Sequence, residues 1–222
     1  MPKESSPPAG TAGSMYTDIG ADTPEGYAIS RTSRELARKT IGDGGPFDRI
    51  RQRSSIAVGD FAMADLMRFT GDPVRAGLAA LQEGAPIYTD IRMVQTGIQK
   101  KGHHSQVTCI LDTYSSSDTG GKTRTSAALM ALGERLSGSI VVIGNAPSAL
   151  LVLCELIQHG IRPALVIGTP VGFVNAAESK ELLRTLDIPS ISNEGTRGGT
   201  PVAVAAMNEI ITMYAESNEA PQ

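Results

Sequence analysis

The sequence predicts an α/β protein, a three-layer sandwich around a mainly parallel sheet. Two observations carry that prediction. From Ser139 onward, short apolar runs alternate with longer helical patterns over brief connections: SIVVIG precedes APSALLVLCELIQHG, PALVIG precedes NAAESKELLRTL, and IPSIS precedes TPVAVAAMNEIITMYAE. Continuous apolar runs of this kind are strands covered on both faces, and right-handed crossovers place helices on either side. Hydrophobic residues make up 41% of the 222-residue chain, yet aromatics are only 4%, Trp is absent and Gly numbers 24. The core must therefore be closely packed Ala, Val, Ile and Leu, as in layered α/β proteins.

The elements follow in order. Residues 25–40 (EGYAISRTSRELARKT) have helical periodicity with a basic exposed face, and IGDGGP breaks them. A second helix is expected over 47–56 and a third over 61–69. Asp72 is a good N-cap with Pro73 at the first helical position, so VRAGLAALQEG forms a helix that Gly84 closes. APIYTDIR and QVTCILDTY read as strands. SSSDTGGKT is a loop and SAALMALGERL a helix, after which the strand–helix alternation begins. Residues 1–24, rich in Pro, Ser, Gly and Thr, form a loose tail; 25–217 are one domain; 218–222 fray.

Composition also excludes. Twenty basic residues against 23 acidic ones give a formal charge of −3, which argues against a broad nucleic-acid-binding face. Cys109 and Cys154 lie in apolar runs, too few for a disulfide framework and without zinc spacing, so buried thiols in a reducing cytoplasm are expected. The N-terminus lacks the apolar segment of a signal peptide. Gly144, Asn145 and Pro147 interrupt the one run of near membrane-span length, 139–157, which divides into a strand and a helix. No association with membrane is expected.

In an open parallel sheet, ligands gather beyond the carboxyl ends of the strands, where loops meet helix N-termini. Three loops fall there. Gly144-Asn145-Ala146-Pro147-Ser148 offers a close turn and an amide. Gly168 to Asn175 is an apolar, Pro/Gly-stiffened loop in which Phe173 is expected to cover something, with Glu178 and a solvated Lys180 following. Glu194 to Pro201 brings two glycines, Gly198 and Gly199, beside the guanidinium of Arg197. None of the three is a Walker A loop or a dinucleotide fingerprint. Together they suit a bulky apolar ligand carrying several carboxylates.

Several segments carry a resemblance. GNAPSALL, ALVIGTPVGFVNAAESKELL and GTRGGTPVAVAAMN are similar to the signature segments of the precorrin-8X methylmutase family of cobalamin biosynthesis. Upstream, LAALQEGAPIYTDIRMVQTGI resembles that family's GAPI-x-x-D-x-x-M-V-x-x-G-I stretch, and TRTSAAL its TRSAAAL-like segment. The likeness spans about residues 25–215. It implies a three-layer α/β homodimer that shifts a methyl group from C-11 to C-12 of a corrinoid macrocycle, metal-free or cobalt-bearing. It also implies that no metal ion of the protein and no organic cofactor takes part. The protein would supply positioning and a proton to a ring nitrogen.

Carried onto this chain, the resemblance places substrate-binding roles at Arg53, Gly26 (a serine in the family), Asn145, Pro170, Gly172, Phe173, Arg197, Gly198 and Gly199. The family's acid is a His in an Arg-x-x-His-Ala segment, but this chain reads Arg53-Ser54-Ser55-Ile56-Ala57, so Ile56 holds the histidine position. Isoleucine cannot titrate. Replacement acids are Asp60, one helical turn further on, and the paired His103 and His104, whose simpler reading is a solvated turn. His159 reads as a partner for the C-terminal dipole of its helix. The methylmutase reading therefore stands beside an alternative, a non-catalytic corrinoid-binding homologue that keeps the pocket and has lost the acid.

Overall fold

The structure, a computed structural model, describes residues 23–115 and 119–219. Their elements are α1 (Pro24–Ile41), α2 (Pro46–Val58), α3 (Ala62–Leu66), β1 (Met67–Thr70), α4 (Pro73–Gln82), β2 (Ile87–Thr89), α5 (Arg92–Gly97), β3 (Val107–Cys109), α6 (Arg124–Leu132), β4 (Ile140–Ile143), α7 (Pro147–Gln158), β5 (Leu165–Gly168), α8 (Ala176–Arg184), β6 (Ser190–Asn193) and α9 (Thr200–Glu219). Most of the tail expected over 1–24, part of the SSSDTGGKT loop and the last three residues lie outside the described residues. Thr23 caps α1 by accepting from the Gly26 N–H, and α9 runs to Glu219, past the expected onset of fraying.

The six strands lie in the order β1-β6-β5-β4-β2-β3, all parallel except β1, which runs antiparallel to β6. Strand period divides the core in two. Ile140 and Val142 of β4, Leu165 and Ile167 of β5, and Ile191 of β6 meet α4, α5 and α9 on one face. Val141, Ile143 and Val166 meet α6, α7 and α8 on the other. The sheet and its two helical faces make the three-layer sandwich. Outside it, α2 packs on α9 and α1 packs on α2.

Three elements depart from expectation. The third helix stops at Leu66, and Met67–Thr70 form a strand. Pairing supplies the reason: Met67 to Thr70 match Asn193 to Ser190 in register, and Met67 enters the core. A tertiary ladder thus overrides a local helical pattern. The QVTCILDTY strand is cut to Val107–Cys109 and continues as a 3-10 turn, while the RMVQTG segment forms α5, which the sequence pattern did not mark. Asp72 behaves as expected, its carboxylate accepting from the Arg75 N–H at the start of α4.

Candidate functional site

A sheet of this order has a switch point between β2 and β4, whose connections leave in opposite directions, and a ligand is expected beyond their carboxyl ends. The structure fills that place from within. Asp90, the residue after β2, is fully buried and accepts from three consecutive N–H groups at the start of α7: Gly144 (3.2 Å), Asn145 (2.7 Å) and Ala146 (2.9 Å). Burial raises its carboxyl above the ordinary carboxylate value, and the N–H donors offset that rise only in part. The anion expected at this helix start is therefore the protein's own side chain. Gly144 is required there, since a Cβ would lie 2.8 Å from Val94 and 3.1 Å from the Thr200 Cα.

The other two loops are stitched to each other. The Gly172 N–H donates to the Thr196 carbonyl, and the Gly199 N–H to that of Thr169. Gly198, at φ +142°, lies so close that a Cβ would fall 2.3 Å from the Thr169 oxygen. Lys180, expected to be solvated, is fully buried beneath them. Its Nζ donates to the Arg197 carbonyl (2.6 Å) and the Asn193 Oδ1 (3.4 Å). Burial, with Arg184 adding to it, lowers the ammonium to about 8. The burial follows from the fold: α8 presents Lys180 to the end of β6, where these two oxygens converge. Phe173, at the crest of the second loop, is 95% exposed, so among the described residues it covers no core.

A cavity of about 850 Å³ lies beside this edge, walled by α1, α2 and α9. Its volume falls within the roughly 300–1,000 Å³ of small-molecule sites. Each helix gives one face. From α2 come Arg49, Gln52, Arg53, Ile56 and Ala57; from α9, Pro201, Val204, Ala205, Asn208, Glu209 and Glu216; from α1, Gly26, Ile29, Ser30, Ser33, Arg34 and Arg38. All three sets have helical spacing. Glu209 is almost fully buried and receives Arg49 Nε at 2.7 Å and Arg53 Nη1 at 3.1 Å, while Glu216 takes the other end of Arg49. Burial alone would lower the Arg49 guanidinium, but Glu216 and Glu209 overcome it and raise it. Arg53 Nη1 also lies 3.2 Å from the Thr212 hydroxyl. The Gln52 side-chain amide donates to the Gly42 carbonyl and fastens the α1–α2 connection.

The candidate residues thus divide. Arg53, Ile56 and Gly26 share the cavity wall, where Ile56 is 37% exposed. Asn145, Pro170, Gly172, Phe173, Arg197, Gly198 and Gly199 do not line it, although Pro201 joins their loop to it. Asp60 does not line it either: its carboxylate caps α3 at the Ala62 N–H and pairs with Arg197 at 2.6 Å. His103 is buried away from the cavity. Its Nδ1 accepts from the Ser105 N–H and its Nε2 lies 2.7 Å from the Gln99 carbonyl, which makes it a loop staple rather than the solvated residue expected. His104 is exposed, and His159 contacts the Glu155 carbonyl at the end of α7 as its position suggested.

Sequence reasoning missed Arg49, Glu209 and the polar face of α1, because it sought the site among glycine-rich loops. Signals existed in the spacing Arg49, Arg53 and Ile56 on one face, and in Glu209, an acidic residue set in the mostly apolar stretch 202–211.

The family model for precorrin-8X methylmutase matches residues 28–213. The chain belongs to the precorrin-8X methylmutase family. It is 38% identical over 215 residues to a cobalt-precorrin-8 methylmutase of Methanocaldococcus jannaschii, covering 91% of this chain and 100% of the relative. It is 39% identical over 199 residues to a precorrin-8X methylmutase of Pseudomonas aeruginosa, covering 85% and 96%. The solved structure of the Thermus thermophilus precorrin-8X methylmutase superposes with a TM-score of 0.79 at 35% identity, over 88% of this chain and 100% of that one. Arg53 and Ile56 occupy adjacent turns of α2 in the α1–α2–α9 cavity. Among the described residues no helix is long and apolar enough to cross a membrane.

Proposed function

We propose that this protein is a methylmutase of cobalamin biosynthesis, an isomerase that moves a methyl group from C-11 to C-12 of precorrin-8X or cobalt-precorrin-8. The observation that carries the reading is the three-helix cavity, in which Arg53 and the position of the family's acid face one space. The shift breaks one carbon–carbon bond and forms another in the same molecule, so nothing else is consumed. Catalysis is then a matter of holding the macrocycle in one conformation and stabilising the charge that moves as the methyl migrates. Arg53, fixed by Glu209 and Thr212, is a preorganised positive group for that task. The loops bearing Asn145, Pro170, Gly172, Phe173, Arg197, Gly198 and Gly199 would close the mouth of the site against the same substrate. Cytoplasmic location fits two buried free thiols.

A homodimer belongs to this reading. Phe173, Val174 and Val171 are 95%, 74% and 46% exposed, an apolar crest suited to a second copy of the chain. The test of function is the visible spectrum of precorrin-8X mixed with the purified protein. Conversion to the rearranged chromophore is expected, and Ile56→His is expected to accelerate it by adding a titrating group. An unchanged spectrum over hours with protein in excess would overturn the reading; retention of the unchanged coloured macrocycle would leave the non-catalytic binder in its place.

A further inference from the structure

One end of the cavity is carbon surface. The pairs Arg49–Glu216, Arg53–Glu209 and Asp60–Arg197 set α2 antiparallel to α9. Ile56 and Ala57 of α2 therefore stand opposite Pro201, Val204 and Ala205 of α9, and all five line the cavity. The α5 helix reaches the same space through Gly97. Val204 is partly exposed, while Val202, Ala203, Ala205 and Ala206 around it are buried.

The position of Val204 is fixed by two residues. Gly97 ends α5 without a positive φ, so its backbone alone would accept alanine. Sterics forbid it: a Cβ there would lie 2.8 and 3.0 Å from the two Val204 methyl groups and 3.5 Å from the Val204 Cβ. Asn208, one turn further along α9 and 2% exposed, holds the two helices at this spacing. Its amide donates to the Gly97 carbonyl at 3.0 Å and accepts from the Gln99 N–H at 2.8 Å. A valine within a helix has essentially one rotamer, so the side chain cannot turn aside freely. Val204 is thus seated on the missing Cβ of Gly97 and presents the rest of its surface to the cavity.

We propose that Val204 is the floor on which the apolar face of the bound macrocycle rests, and that Gly97 and Asn208 are positioning residues that set the height of that floor. The inference rests on the corrinoid reading for the identity of the ligand, and it adds residues outside every loop that reading drew on. A flat ring with acidic arms at its rim matches the division of the cavity, with carbon surface at this end and the charge network of Arg49, Arg53, Glu209 and Glu216 at the other. A methyl shift needs the ring held in one place, which a rigid floor provides and a yielding one does not. An added methyl group at position 97 has no slack to enter, so it must drive the Val204 methyls toward the open space where the ring lies.

The experiment compares wild type with Gly97→Ala, Val204→Ala, the double variant Gly97→Ala with Val204→Ala, and Val204→Phe. Each is checked for folding by circular dichroism and titrated with precorrin-8X by absorbance, and KM and kcat are read separately. Val204→Ala lowers the floor and is expected to weaken binding about five-fold. Gly97→Ala raises it, with binding about thirty-fold weaker, KM raised and kcat little changed. In the double variant the new Cβ meets only an alanine, so binding returns to that of Val204→Ala, a non-additivity that a general loss of stability does not produce. Val204→Phe fills the apolar end and abolishes binding; it decides alone if Gly97→Ala does not fold. Conversion by wild type, with Val204→Phe binding as wild type does or Gly97→Ala costing the same in both backgrounds, would overturn the floor and leave the methylmutase reading intact. Binding without conversion that follows the expected pattern would do the reverse. Neither binding nor conversion by wild type would remove both.

Discussion

Asp90 brings a carboxylate to a point where three N–H groups converge and water is excluded. The GAPI-x-x-D segment made the residue visible in the sequence, but a single acidic residue after a strand reads equally well as a loop cap. Its role depends on β2 and β4 being neighbours, a contact across more than fifty residues of chain that no local pattern encodes. The same holds for Glu209, whose meaning appears only once Arg49 and Arg53 stand opposite. Substituting Asp90→Asn keeps the shape, removes the charge and turns an amide N–H₂ toward one of the three donors. The expected loss is about 3 kcal/mol, the scale of charge-assisted bonds broken in a buried site. Urea unfolding monitored by far-UV circular dichroism measures it. A midpoint equal to that of wild type would show that the helix start does not depend on this anion.

Among the elements, the strands and helices of the C-terminal half were legible because each is covered on both faces or carries a full apolar stripe. The strand β1 was not, since MRFT has no period of its own and is defined by pairing with β6. The loops after β5 and β6 were recognised as a unit of interest, while the lysine that ties them was read as solvated. Lys180 allows a test of how they are held. Its folded-state value of about 8 lies below the ordinary 10.5, because burial disfavours the ammonium. Between those values the unfolded chain binds more protons than the folded one, so folding stability must rise with pH across that window. Below about pH 8 the buried charge opposes folding in full; above about 10.5 the opposition is gone. Comparing wild type with Lys180→Met by chemical denaturation from pH 7.5 to 10.5 isolates this contribution. The difference should move in favour of wild type as pH rises, and a difference independent of pH would mean that the ammonium is solvated in the folded protein.

At the scale of the whole molecule, the sheet edge predicted to hold a ligand is largely consumed in holding itself together, and the open volume lies one layer out, under the α1–α2 hairpin. Fold class could be read from alternation; the position of this cavity could not, because it needs the helical faces of α1, α2 and α9 to be assigned to one another. The loops nevertheless leave a surface that the single chain does not use. Phe173, Val174 and Val171 project at the crest where two Gly-rich loops are locked together by main-chain bonds and Lys180, so the crest is rigid and costs little to order on association. In a two-fold dimer each substitution acts twice. Burying Phe173 and Val174 on both copies contributes about 2 kcal/mol per side chain, enough to separate a stable dimer from a monomer at micromolar concentration. Wild type is therefore expected to sediment as a dimer, and Phe173→Ser with Val174→Ser as a folded monomer with an unchanged circular dichroism spectrum. A wild type that sediments as a monomer, or a double variant that stays dimeric, would show that this crest is not the surface on which two copies meet.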